Sequence, residues 1–198
     1  MKKKKLLIAV MATVFAAMIG GCAFRATLAD RSNSVFSLFY GYVGFDTNGA
    51  TLTSFILKKL DGDQSKPYYY CRIYRGVFFC YLPPGAYRVE KFTSIESCGY
   101  NCTTTINYEM PAQDNGFTIT NPGLFYLTSI RIKNKPTGGF FSNTVESTPE
   151  KADWPSEEQI LERLLDIAQK GSTIEKNIYS RLMQYRKMRQ PGAKVTAS

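Results

Sequence analysis

Histidine is absent from all 198 residues of the chain. Its absence excludes Ser-His-Asp and Cys-His catalysis, imidazole zinc sites and the usual proton shuttle near neutral pH. No G-x-x-x-x-G-K and no G-x-G-x-x-G stretch occurs, so the sequence offers neither a phosphate-cradling loop nor a dinucleotide fingerprint. The apolar run at residues 6–19, interrupted only by Thr13, falls short of the ~20 residues that a membrane-crossing helix needs. Acidic residues are missing from 176–198, which holds six bases (Lys176, Arg181, Arg186, Lys187, Arg189, Lys194). Together with Lys2, Lys3, Lys4 and Lys5 these make the +9 formal charge a property of the two ends, and the body between them is close to neutral. Such a distribution does not describe a nucleic-acid-binding surface. The length suits one domain, or one with a small appendage, and suffices for a core without metals.

The N-terminus carries the most specific signal. A lysine run, a short apolar stretch and the small residues Ile19-Gly20-Gly21 lead into Cys22, in the order of a secretory signal. Residues 1–22 resemble the lipobox signal of bacterial lipoproteins. That resemblance implies removal of residues 1–21, lipidation of Cys22 through diacylglycerol and an N-acyl (palmitate-type) chain, and stable attachment, since one acyl chain alone binds only marginally. Ala23 stands where inner-membrane lipoproteins usually carry Asp, so the resemblance further implies the outer membrane, facing periplasm or surface. A plain signal peptide with an incidental Cys is the alternative. Residues 22–33 then read as a short lipidated tether.

From residue 34 to 147 the composition changes. Of the 27 aromatic residues, 22 lie between Phe36 and Phe141, among many Thr, Val and Ile that suit pleated, half-buried surfaces. Turn signals such as Asn48-Gly49, Arg75-Gly76, Pro83-Pro84-Gly85 and Pro122-Gly123 separate short runs at 34–45, 51–60, 67–74, 77–82, 86–95, 102–110, 116–120 and 124–133. That spacing predicts an all-β sandwich or barrel. A polar linker is expected at 147–155. After it, Ser156-Glu157-Glu158-Gln159 and Ser172-Thr173-Ile174-Glu175 read as capping boxes opening two amphipathic helices, a separable hairpin over 156–190. Residues 191–198 read as a disordered tail.

The segment Phe78-Phe79-Cys80-Tyr81-Leu82-Pro83-Pro84-Gly85-Ala86-Tyr87-Arg88-Val89 resembles a turn of prealbumin-like β-sandwiches, the group that includes carboxypeptidase regulatory domains. Asn121-Pro122-Gly123-Leu124-Phe125-Tyr126-Leu127 is similar to their late strand. The resemblance implies a mainly β, prealbumin-like antiparallel sandwich, here followed by the C-terminal α-helical hairpin. Such folds host many roles.

Each remaining cluster has a plain reading beside a functional one. Asp61-Gly62-Asp63 and Asp46-Thr47-Asn48-Gly49 offer too few oxygens for calcium and read as hairpin turns. Tyr68, Tyr69 and Tyr70 with Tyr74 and Tyr81 could form an aromatic platform for sugar or peptide, though alternation turns at least one of the three neighbours inward. Glu157, Glu158, Glu162 and Asp166 read as an exposed charged helix face. The basic stripe of Arg181, Lys187 and Arg189 offers contact with anionic lipid or an acidic partner. Ser-Lys chemistry has no motif to place it.

Four cysteines remain besides Cys22: Cys71, Cys80, Cys98 and Cys102. An exported chain with an even number of them is expected to pair them, and four allow three connectivities. If Arg75-Gly76 is a two-residue turn, Tyr74 faces Val77 and Cys71 falls opposite Cys80, on a non-bonded pair with Cα atoms roughly 4.5 Å apart. Cys98 and Cys102 would then close a small loop. A cysteine-only zinc site is the rival, without the usual C-x-x-C spacing. The functional expectation is a non-catalytic binding or interaction module of the cell envelope, without cofactor, metal or nucleic acid, attached to membrane by lipid and meeting an envelope protein. A surface binder of carbohydrate or host ligands is the alternative, and an enzyme a distant third.

Overall fold

The organising strand is apolar on both faces. In β1 (Ser37–Phe45), Leu38 and Tyr40 point to one side and Phe39 and Val43 to the other, and all four are buried. A strand with that pattern must be covered twice, so it sits in the middle layer of three. The computed structural model describes residues 27–29, 35–46, 49–63, 65–99, 102–110, 116–136 and 145–189.

Ten strands follow in order: β1, β2 (Thr51–Lys59), β3 (Tyr68–Tyr70), β4 (Arg72–Tyr74), β5 (Val77–Leu82), β6 (Gly85–Gly99), β7 (Cys102–Tyr108), β8 (Gly116–Ile119), β9 (Leu124–Pro136) and β10 (Val145–Ala152). Helices α1 (Glu157–Leu165) and α2 (Thr173–Met188) complete the described chain. One sheet has the order β10-β9-β1-β5-β4; the other runs β3-β2-β6-β7, with β8 also pairing β6. All pairings are antiparallel except β1 with β9. The fold is thus the mainly β sandwich with a C-terminal helical pair that the sequence predicts.

Between the sheets lies an aromatic core. Phe55 stacks on Phe78 with centroids 3.7 Å apart, and Phe39, Phe92 and Tyr87 surround them, each fully buried. Gly41 is required at its place in β1, because a Cβ there would meet the Phe78 ring at 2.3 Å and the Thr128 carbonyl at 2.7 Å. On the other face of the first sheet, Leu38, Tyr40, Val77 and Phe79 meet Ile160, Leu161, Leu164, Ile174, Ile178 and Leu182.

The boundaries differ from the sequence reading in four ways. The linker expected at 147–155 lies largely within β10, which pairs with β9 from Val145↔Pro136 to Ala152↔Ser129. Its charge and Pro149 hid it: a strand with one free edge tolerates both, and they discourage further pairing. The tether expected at 22–33 is already fold at Leu28, which is buried and bridges to Ala168. The helices are no separate unit, since their apolar faces are spent on covering the sheet. The run read as one strand at 67–74 also divides at Cys71, where the chain leaves one sheet for the other.

Local signals were otherwise obeyed. Ser156 and Gln159 form the capping box: the Gln159 N–H donates to Ser156 Oγ (3.4 Å) and the Ser156 N–H to Gln159 Oε1 (3.0 Å). At the second helix the Glu175 N–H donates to Ser172 Oγ (3.1 Å), while the Glu175 carboxylate accepts the Gly171 N–H (2.6 Å). Arg75 (φ 48°) and Gly76 (φ 80°) make the tight turn of the β4–β5 hairpin. Arginine is a costly residue at positive φ. Its carbonyl is held by Arg163 Nη1 of α1 at 3.0 Å, which ties the turn to the helical layer.

Candidate binding cleft

The helices cover only part of the sheet beneath them. Leu38 and Tyr40 at the start of β1 lie under the helical layer, and the Arg163 guanidinium sits 5.1 Å from the Tyr42 ring centroid. Beyond Tyr42 the same face continues as Gly44 and Asp46 and is uncovered. The Tyr42 ring leans over Gly44, where a Cβ would meet it at 2.8 Å. Register sets Gly44 beside Arg131 of β9, and Arg131 opposite Glu150 of β10. A row of polar side chains thus crosses three strands where apolar ones stand farther along.

This row is the floor of a cleft of about 530 Å³. Two ion pairs lie in it: Arg131 with Asp46, and Lys133 with Glu150 at 2.5 Å. All four side chains are partly exposed, so these pairs contribute little to stability and keep donors and acceptors near solvent. Trp154, the chain's only tryptophan, stands at the rim and is 66% exposed. It is followed by Pro155, whose carbonyl accepts from the buried Ser129 hydroxyl at 2.6 Å, with Tyr126 Oη 3.1 Å from the same hydroxyl. A large apolar ring is therefore held in water by a buried polar anchor beneath it. Tryptophan, with an apolar body and a polar N–H, is enriched at contact surfaces.

A second polar centre joins helices to sheet. The Tyr40 hydroxyl donates to Glu157 Oε1 (2.6 Å), the Tyr185 hydroxyl to Glu157 Oε2, and Arg181 Nε lies 3.3 Å from Oε1. Burial first, and the Glu157 carboxylate second, push both phenols above their ordinary values. Burial works most strongly against the Arg181 charge, but Glu157 together with Tyr185 and Tyr40 outweighs it and holds the guanidinium pKa above its usual value. The buried carboxylate of α1 has its partners on β1 and α2 and is enclosed by them, so this cluster is a structural joint between three elements.

The other sequence candidates are dispersed. Asp61 accepts the Ala86 N–H (3.0 Å), and Asp63 accepts the N–H and hydroxyl of Ser65, both at 2.8 Å; the Ser65 N–H first, then its hydroxyl, lowers the Asp63 pKa. Both are turn residues. Asp46 is the cleft residue above; Thr47 and Asn48 lie outside the described residues. Of the five tyrosines, Tyr69, Tyr70 and Tyr81 border one small cleft of about 210 Å³ with residues 27–29, and Tyr68 and Tyr74 are not part of it. Tyr69 turns inward, edge-on to Tyr87 at 5.7 Å, and Tyr68 and Tyr70 are exposed. Tyr74 and Tyr81 belong to the other sheet and face the helices.

The acidic face of α1 is exposed as expected at Glu162 and Asp166 but not at its first turn. Glu157 and Glu158 are largely buried against α2, where Arg189 reaches Glu158 (2.8 Å) and Arg186 reaches Glu158 (3.9 Å) and Glu162 (3.0 Å). The arginines of the basic stripe are accordingly engaged; Lys187 makes no ion pair among the described residues. Among the described residues no group of three His, Cys, Asp or Glu is placed to hold a metal, and no helix is long and apolar enough to cross a membrane. Cys71 and Cys80 form a disulfide pair with Cα atoms 4.6 Å apart, in the register expected. The backbones of Cys98 and Cys102 belong to the β6–β7 hairpin. Their side chains lie outside the described residues, as do Cys22 and residues 191–198.

Sequence reasoning missed Trp154, Tyr42 and Arg131 as site residues. The available signal was a lone tryptophan before proline in a polar stretch. Comparison with protein-family models, curated proteins and solved structures found no match.

Proposed function

We propose that the chain is an exported bacterial lipoprotein, anchored to the outer membrane through Cys22, that acts as a non-catalytic binding module through the Trp154 cleft. The signal-like residues 1–22 support export and anchoring, and the Cys71–Cys80 pair suits an oxidising compartment. The prealbumin-like resemblance fits a sandwich used as a carrier of binding surfaces. The observation that carries the binding role is Trp154, held exposed over two ion pairs.

The placement of the tether agrees with this role. Arg72 Nη1 donates to the Thr27 carbonyl (3.1 Å) and the Tyr81 hydroxyl to the Ala29 carbonyl (2.6 Å). Tyr81 pairs with Leu38 at the start of β1, whereas the cleft lies at its Phe45 end, about 20 Å away at 3.3 Å per residue. The described tether residues 27–29 and the cleft thus lie toward opposite ends of one strand. The carbohydrate alternative moves with the aromatic: an indole face suits sugar C–H groups, and Arg131, Asp46 and Glu150 suit hydroxyls. Trp154 favours a glycan over an acidic protein as ligand.

Because Trp154 is the only tryptophan, its fluorescence reports on the cleft directly. Titration with soluble peptidoglycan fragments should shift its emission saturably, and Arg131→Ala should weaken the response. An emission spectrum unmoved by these fragments at millimolar concentration contradicts the glycan reading. Retained binding in Trp154→Ala, followed by calorimetry, places the site elsewhere.

A further inference from the structure

Helix α2 buries Ile174, Ile178 and Leu182 against the sheet. Its opposite face carries Lys176, Tyr179, Met183 and Lys187, at the three- and four-residue spacing that aligns side chains along a helix. With Leu165 of α1 they line an open groove of about 640 Å³. Tyr179 is 55% exposed. The cations of the helix fall into two groups. Arg181, Arg186 and Arg189 are held by Glu157, Glu158 and Glu162, whereas Lys176 and Lys187 make no ion pair among the described residues. Glu175 also borders the groove, but its carboxylate is turned to the Gly171 N–H at 2.6 Å.

The chain outside the described fold ends beside this helix. The Leu28 N–H donates to the Ile167 carbonyl (2.8 Å) and its own carbonyl accepts from the Gln169 N–H (3.3 Å), just before α2 begins. Only residues 23–27 separate Leu28 from Cys22, a span of about 20 Å when fully extended. An anchored Cys22 therefore keeps the start of α2 within that distance of the headgroups.

We propose that the outer face of α2 seats on an anionic phospholipid surface. Tyr179 and Met183 enter the headgroup boundary, and Lys176 and Lys187 meet the phosphates with their stems along the apolar edge. The helical layer then lies between the sandwich and the bilayer, and the cleft stands beside it at the end away from the tether. The nearness of the bilayer rests on the lipoprotein reading; the chemistry of the face does not.

The test uses the chain from residue 22 onward with Cys22→Ser, which keeps every described residue and carries no acyl chain. Co-sedimentation with vesicles of phosphatidylglycerol and phosphatidylethanolamine should show salt-sensitive binding, and vesicles of phosphatidylcholine should show little. A basic residue near an anionic surface is worth about fivefold in partition, so Lys176→Gln with Lys187→Gln should weaken binding about thirtyfold. Tyr179→Ser with Met183→Ser should also weaken it, while the exposed pair Lys66→Gln with Lys91→Gln should leave it unchanged. Equal binding to both vesicle types, no binding to anionic vesicles at low salt, or an equal loss from the Lys66 and Lys91 changes overturns the proposal. Failure of the anchor reading shows separately, as an unacylated Cys22 in the native chain, and leaves the vesicle result untouched.

Discussion

Cys71 lies directly across from Cys80 at the point where the chain passes from one sheet to the other, with Cα atoms 4.6 Å apart. The Cys71 N–H still donates to the Phe55 carbonyl of the sheet it leaves (2.9 Å), so the residue is fixed to both layers. Joining them closes a loop with a sequence separation of 9, which by loop entropy stabilises the fold by about 2.5 kcal/mol. Cys71→Ser with Cys80→Ser should lower the urea midpoint correspondingly, and reductant should do the same to the native chain. Peptide mapping without reduction should recover Cys71 joined to Cys80. Four free thiols in protein from intact cells, or Cys71 joined to Cys98, contradicts the pairing.

The helical layer is predicted to be indispensable. A chain stopped after Ala152 exposes Leu38, Tyr40, Val77 and Phe79, and should lose cooperative melting. In the full chain, Leu164→Ala should cost about 3 kcal/mol, the usual scale for a buried leucine truncated in a packed core. A sharp, native-like melt of the shortened chain sinks this view of the helices.

Alkaline pH should loosen the joint between helices and sheet. The Tyr40 phenol is held neutral by burial and by Glu157, so its pKa in the fold exceeds its unfolded value near 10. Above that value the unfolded chain releases a proton that the folded chain retains, and stability falls as pH rises. Below it the contribution is complete. Tyr40→Phe removes a hydrogen bond to a charged partner, costing about 2 kcal/mol at pH 7. The variant should also show a smaller drop in melting temperature between pH 9 and pH 11. Tyr87, Tyr126 and Tyr185, raised chiefly by burial, leave a residual drop. An identical alkaline drop in variant and native chain contradicts the assignment.

The sequence disclosed the strands and helices whose signals are local, and hid what depends on neighbours. The strand run at 77–82, the Arg75-Gly76 turn and the cap at Ser156 each act within a few residues, and each was legible. Strand β10 was not, because its pairing with β9 comes from an edge position rather than from its own polar, proline-bearing composition. The engagement of Glu157 and Glu158 was hidden for a related reason: helical spacing shows that acids share a face, not that another helix brings arginines to it. The cleft was least legible. Asp46, just past the end of β1, Arg131 of β9 and Glu150 of β10 meet only through the parallel β1–β9 and antiparallel β9–β10 registers.

The proposed anchoring at a membrane through Cys22 is the premise on which the cleft's presentation and the nearness of α2 to a bilayer both rest. Intact-mass measurement of the protein from bacterial envelope fractions tests it most directly. The account predicts a chain beginning at Cys22, heavier than its amino-acid mass by a diacylglycerol and an acyl chain, and a Cys22→Ser variant that lacks this increment and is not processed at that site. A native chain that begins elsewhere, or that carries Cys22 without added mass, contradicts the account.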